Sequence, residues 1–243
     1  MSAAAPRGPR SRGSVRFRSL ARAVGPRLLR GVVAAAVLCL PVAVLALLVT
    51  RHFAPIVDLD ERVVVAATDV TRAHPGFEDA LIGWQSAFHP TMVYLYAIPV
   101  AVWTWLRGFR ARTIWGVVTM LVGWNLGLQV KLIVERARPV IADPVSHAPG
   151  YSFPSGHAFN VAMMVTTCLI MAWPLVRRWP PLIRAAAVTV GVLVVVLTML
   201  DRIFLGVHFP SDVTAGVLLA LGLSSASYLG FSRRPKGHLE EDS

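Results

Sequence analysis

Apolar residues run without a charge from residue 31 to residue 50, about the ~20 positions a helix needs to cross a bilayer. Comparable runs cover roughly residues 90–106, 114–134, 158–176, 182–200 and 213–231. They are apolar on every face, with neither the alternation of a strand nor the single stripe of a soluble helix. Six membrane-spanning helices are therefore predicted. Trp84, Trp103, Trp105, Trp115, Trp173 and Trp179 lie near the ends of these runs, where aromatic belts meet the membrane interface. The stretch 51–89 is different: Asp58, Asp60, Glu61, Asp69, Glu78 and Asp79 are interleaved with Val63-Val64-Val65 and Leu81-Ile82-Trp84. This pattern predicts short amphipathic helices lying at a membrane surface.

Composition supports the same class. The chain of 243 residues is 55% hydrophobic with mean hydropathy +0.60, which describes a polytopic membrane protein. Cys39 and Cys168 each sit inside an apolar run, so neither a disulfide framework nor a CxxC metal motif is indicated. Residues 1–30 hold eight arginines and no acid, spaced by Ala, Gly, Pro and Ser; by composition this is a disordered basic tail. A basic stretch before an apolar core also describes a signal peptide, but the run is long for one and no A-x-A site follows, so it is read as an uncleaved first span. The expected organisation is a tail at 1–30, a six-span domain at 31–232 with the polar segment 51–89 on its outer side, and a second tail at 233–243.

Charge orients that domain. The net charge of +11 would suit nucleic acid if it were clustered on a soluble face, but it is divided by the spans. Seventeen basic residues and three acids fall on the side of the termini, against seven basic residues and ten acids on the other. The positive-inside rule places the termini in the cytoplasm, at the plasma membrane, and the opposite loops outside.

Three chemistry-bearing segments collect on that outer side, with six of the seven histidines (52, 74, 89, 147, 157 and 208). The first is Lys131 to Pro139. Lys131 and Arg138 share a helical face about two turns (~11 Å) apart, and Pro139 disfavours helix at Arg138. Lys131 is one of only two lysines among 24 basic residues, which singles it out from a generic interfacial anchor paired with Glu135. The second is Pro154-Ser155-Gly156-His157, where a loop gives way to an apolar helix. Ser suits an N-cap, Gly allows close approach, and a helix N-terminus receives anions; the alternative is a capped helix start with an incidental His. The third is Asp201 to Asp212. Pro210 suits the first position of a helix and Asp212 its first turn, one turn from His208, where a carboxylate can fix the imidazole tautomer. A capping Asp beside a snorkelling His is the plainer reading.

Together, Lys131-x6-Arg138-Pro139, Pro154-Ser155-Gly156-His157 and Arg202-x5-His208-x3-Asp212 resemble the three-part signature of the type 2 phosphatidic acid phosphatase superfamily, which also includes vanadium haloperoxidases and glucose-6-phosphatases. The resemblance covers the third to the sixth run. It implies an all-α bundle of six transmembrane helices with the active site at the outer membrane face, hydrolysing a lipid phosphomonoester or diphosphate. By position it implies that Lys131, Arg138, Ser155, Gly156 and Arg202 hold the phosphate. It also implies that His208 forms a phosphohistidine, that Asp212 orients His208, and that His157 protonates the leaving group and then activates water. No metal or cofactor is implied, and the partner is the lipid substrate itself. One position departs: before Arg202 the family usually has Ser or another small residue, and here it is Asp201.

The same constellation holds vanadate in haloperoxidases, a chemistry suited to soluble proteins. A metal-dependent hydrolase would draw on Asp143, His147, His157 and His208 but would not need three cations. A lipid transporter or structural membrane protein would carry charges within its spans, and these spans are nearly free of them.

Overall fold

A computed structural model describes residues 12–142 and 144–232, and all the regular structure among them is helical. The first apolar run forms α1 (Arg12–Leu38) and α2 (Leu40–Thr50). The break falls at Cys39 because Pro41 has no N–H for the preceding turn and its ring crowds that turn's carbonyl. The polar segment forms α3 (Ala54–Ala73) and α4 (Pro75–Ala87). The remaining runs form α5 (Pro90–Leu106), α6 (Arg110–Val134), α7 (Gly156–Val176), α8 (Pro181–Phe204) and α9 (Pro210–Phe231). Five stretches are long and apolar enough to cross a membrane, the first of them Gly25–Thr50, and α5 is a shorter apolar helix of 17 residues. At ~1.5 Å per residue α5 extends about 26 Å, close to the ~30 Å hydrocarbon thickness. The chain is an all-α, multi-pass membrane protein.

Two expectations change. Helix α1 begins at Arg12, so residues 12–30 are helical where composition indicated a disordered tail. Arg, Ala and Leu are strong helix formers, and a helix already nucleated in the apolar run extends into them. Residues 1–11 and the tail 233–243 lie outside the described residues. Helices α3 and α4 also do more than rest on a surface. The buried stripe of α3 is Asp60, Val64, Ala67, Thr68 and Thr71; Thr71 donates to the Phe204 carbonyl (2.8 Å), and Trp84 of α4 donates to Thr198 Oγ1 (3.1 Å). Both helices therefore cover the last turns of α8.

Helix α7 is the centre of the bundle, flanked by α5, α6, α8 and α9. Close approach depends on small residues, as is usual where lipid supplies no hydrophobic drive between helices. A Cβ on Gly123 or Gly127 of α6 would stand 2.5 Å from Met163 or 2.9 Å from Phe159 of α7. A Cβ on Gly216 of α9 would stand 2.8 Å from the Ser155 carbonyl. Small residues on these faces thus bring the start of α7 directly against α9. At the opposite end, Trp103 and Trp179 stack at 5.9 Å, which places the α5–α6 turn beside the α7–α8 turn.

Candidate active site

Three segments meet at one end of the bundle: the loop after α6, the start of α7 and the link from α8 to α9. The Ser155 N–H donates to the Asp212 carbonyl (3.0 Å), fastening the start of α7 to the first turn of α9. Ser152 ties the α6 loop to the same place, through its N–H to the Arg136 carbonyl (2.8 Å) and its hydroxyl to the Ala137 carbonyl (2.9 Å). The Phe153–Pro154 peptide is cis. Helix α6 stops at Val134, and Glu135 is left-handed with φ 49°. Arg138 is therefore reached by irregular chain, and a shared helical face with Lys131 does not form. Hydrogen bonds from 136–138 to the α7 and α9 segments hold the backbone out of the helix.

The cations converge and are held. Lys131 Nζ donates to the Tyr151 carbonyl (2.7 Å). Arg138 donates to the carbonyls of Gly150 (2.9 Å), Pro149 (2.9 Å) and Val207 (2.7 Å), and its Nη1 stands 3.2 Å from His208 Nε2. A guanidinium can only donate, so Nε2 is the acceptor and the His208 proton resides on Nδ1. That nitrogen faces Asp212 Oδ2 at 3.6 Å, an electrostatic contact longer than a hydrogen bond. Burial pushes the His208 pKa down to about 4, with Arg138 and Lys131 adding to the fall and Asp212 opposing it. The ring is neutral at pH 7, with its Nε2 lone pair turned to Arg138.

Asp212 is the N3 residue of α9, and its Oδ2 accepts the Phe209 N–H (2.9 Å), satisfying one of the orphan donors of that helix start. Ser155 is the N-cap of α7, yet its hydroxyl makes no cap bond. Ser155 Oγ and His157 Nε2 are both buried without a hydrogen-bond partner among the described residues. Gly156 is the first residue of α7, where backbone N–H groups have no partner within the helix. A buried hydroxyl and imidazole without partners, at a helix N-terminus, suit an anion that would complete them.

Arg202 is also brought in, on the last turn of α8, and the unusual Asp201 is its partner: Arg202 Nε donates to Asp201 Oδ2 (2.8 Å) with both side chains 1% exposed. Among the described residues no three His, Cys, Asp or Glu side chains group as a metal would require. His147 is exposed on its loop, and Asp143 lies outside the described residues.

Arg136, Ser211 and Asp60 belong to the site although the motif reading passed over them. Arg136 Nη1 donates to Asp212 Oδ1 and Ser211 Oγ (2.7 Å each), and its Nη2 donates to Asp60 Oδ2 (2.8 Å). Its guanidinium lies 4.2 Å from the Phe209 ring centroid. The available signal was Asp60 itself, a carboxylate on the buried stripe of an amphipathic helix.

Comparison with known proteins places the chain among PAP2 proteins. The sequence profile of the PAP2 superfamily matches residues 113–236. Phosphatidylglycerophosphatase B of Bacillus subtilis is 32% identical over 132 residues, covering 52% of this chain and 63% of that protein. Undecaprenyl-diphosphatase of Sulfolobus acidocaldarius is 28% identical over 130 residues, covering 51% and 58%. Decaprenylphosphoryl-5-phosphoribose phosphatase of Mycobacterium tuberculosis is 35% identical over 101 residues, covering 40% and 49%. The chain thus spans less than two thirds of the length of each of these relatives. The crystal structure of a transmembrane PAP2 type phosphatidylglycerolphosphate phosphatase from Bacillus subtilis has the same fold, with TM-score 0.68 at 24% identity over 80% of this chain and 94% of that one.

Proposed function

The chain belongs to the PAP2 superfamily, and from that premise we propose that it is an integral-membrane hydrolase of lipid phosphates working through a phosphohistidine. The observation that carries the reading is His208: a buried, neutral imidazole whose Nε2 lone pair faces Arg138 while Nδ1 faces Asp212. Such a ring is a ready nucleophile.

In the first step Nε2 of His208 attacks phosphorus and the bond to the lipid oxygen breaks. His157 protonates that oxygen as it leaves. The Nδ1–H of His208, now on a cationic ring, is stabilised by Asp212. Lys131, Arg138 and Arg202 bind the phosphoryl oxygens, with Ser155 Oγ and the Gly156 N–H completing the cradle; charge on those oxygens is stabilised by donors already in place. In the second step His157 takes a proton from water, the water oxygen attacks phosphorus, and the P–N bond breaks to release inorganic phosphate and free His208. The cations carry the electrostatic stabilisation, so the scheme calls for no metal ion.

An apolar crevice of about 150 Å³ supports a lipid as the substrate. It is lined by Trp124, Gly127, Leu128, Lys131, Pro154 and Gly156, so a chain in hydrocarbon can lie against α6 while its headgroup meets Lys131. Phosphatidylglycerol phosphate, isoprenyl diphosphates and phosphatidic acid are the candidate lipids. Charge asymmetry puts the termini in the cytoplasm and this site on the extracytoplasmic side of the plasma membrane.

The test is phosphate release from a panel of lipid phosphates in detergent with EDTA present, wild type against His208→Ala. Release by wild type alone is expected. Equal release by both would remove His208 as nucleophile, and loss of wild-type activity in EDTA would favour a metal mechanism.

A further inference from the structure

Arg136 makes three side-chain hydrogen bonds at this end of the bundle, yet has no place among the phosphate-binding residues. Its guanidinium bridges two buried carboxylates, Asp60 on one side and Asp212 on the other, and also donates to Ser211. The Phe209 ring covers one face of it. Asp60 is 1% exposed and comes from α3, far away in sequence; it accepts the Ser211 N–H through Oδ1 (3.0 Å) and the Ser211 hydroxyl through Oδ2. Each acceptor of Asp60 is thus engaged by Arg136 or by the first turn of α9.

We infer that Asp60 and Arg136 form a positioning relay that sets the orientation and charge of Asp212, so that the outer helix α3 tunes the nucleophile His208. The inference rests on the reading of His208 given above and adds the residues that act through it.

Geometry supplies the first part. Asp212 has Oδ1 held by Arg136 and Oδ2 held by the Phe209 N–H, so the carboxylate cannot rotate, and Oδ2 is the oxygen left facing His208 Nδ1. Charge supplies the second. A lone arginine against Asp212 would neutralise the carboxylate that must stabilise the cationic phosphoryl-imidazole. Asp60 shares that arginine, so the trio carries a net charge of −1 directed at His208. Removing Arg136 leaves two carboxylates side by side in a dry site, where one of them takes up a proton. Removing the charge of Asp60 hands the whole of Arg136 to Asp212. Both changes weaken the carboxylate behind the nucleophile without touching a phosphate ligand.

The experiment compares full-length wild type, Asp60→Asn, Arg136→Lys and Arg136→Ala in detergent, reading three quantities. The expected result is a kcat for lipid phosphate release reduced about 10- to 100-fold, as for outer partners of oriented imidazoles, with KM within about twofold, as befits an interaction made only in the transition state. Guanidinium chloride at millimolar concentration should restore part of the kcat of Arg136→Ala and leave wild type unchanged. The 15N and 1H resonances of His208 Nδ1–H should move in Asp60→Asn with no substrate present. An unmoved His208 resonance in a folded Asp60→Asn protein would overturn the relay, and so would a kcat equal to wild type. A wild type that releases no phosphate would count against the hydrolase reading instead, and the His208 spectrum would still decide the relay.

Discussion

Asp201 and Arg202, neighbours in the chain, form an ion pair in which both side chains are 1% exposed. The acid that departs from the family pattern therefore faces its own arginine, and its Oδ1 is left without a partner. Asp201→Ala should strand the Arg202 charge and destabilise the fold by roughly 3–5 kcal/mol, read as a lower unfolding temperature in detergent. Inorganic phosphate should recover part of that loss in the variant, because the anion replaces the carboxylate as partner and binds only the folded state.

His157 should behave as a general acid. His157→Ala is expected to slow release from a lipid phosphate by about 10²–10⁴-fold. The defect should shrink several-fold with p-nitrophenyl phosphate, whose leaving group needs no proton; an equal defect on both substrates would contradict the role.

The proposed nucleophile, His208, should stay neutral well below pH 7. Its folded pKa of about 4 lies below the ordinary value of 6.5, so the ring stays neutral as pH falls from 7 to about 5. The sign follows for stability: the neutral ring contributes fully above pH 6.5, and the contribution is lost as pH falls through about 4. A 15N NMR titration of the free protein should show His208 neutral at pH 5.5, where an exposed histidine is mostly protonated.

Gly216 should tolerate no side chain. A Cβ there meets the Ser155 carbonyl at 2.8 Å and the Phe159 N at 3.2 Å, both backbone atoms at the start of α7. Gly216→Ala should force α7 from α9, costing about 1–3 kcal/mol and moving Ser155 and His157 away from the proposed phosphate site. A variant with wild-type melting and activity would show that the two helices can separate at no cost.

Much of this was legible from the chain. Five of the six apolar runs marked their helices to within a few residues, because every face of a lipid-embedded helix must be apolar. The three segments that meet at one end of the bundle were legible too, since helix starts and ends carry distinctive residues: Ser155 and Gly156 at one, Pro210 and Asp212 at another. The end of α6 was misread because Lys131 and Arg138 are also compatible with a continued helix; tertiary hydrogen bonds to 136–138 decide otherwise. Residues 12–30 look like a tail by charge, yet they extend a helix that the apolar run has already nucleated.

By itself, then, the sequence determined the all-α membrane class, the approximate spans and the chemical types gathered at one end, because lipid solvation and helix termini impose strong, local residue preferences. Only the tertiary structure decided which charges pair: Asp201 with Arg202, and Asp60 with Arg136 and Asp212. Ion pairing depends on separations of a few ångströms between side chains far apart in the chain, 76 positions for Asp60 and Arg136, and no periodicity along the sequence encodes that distance.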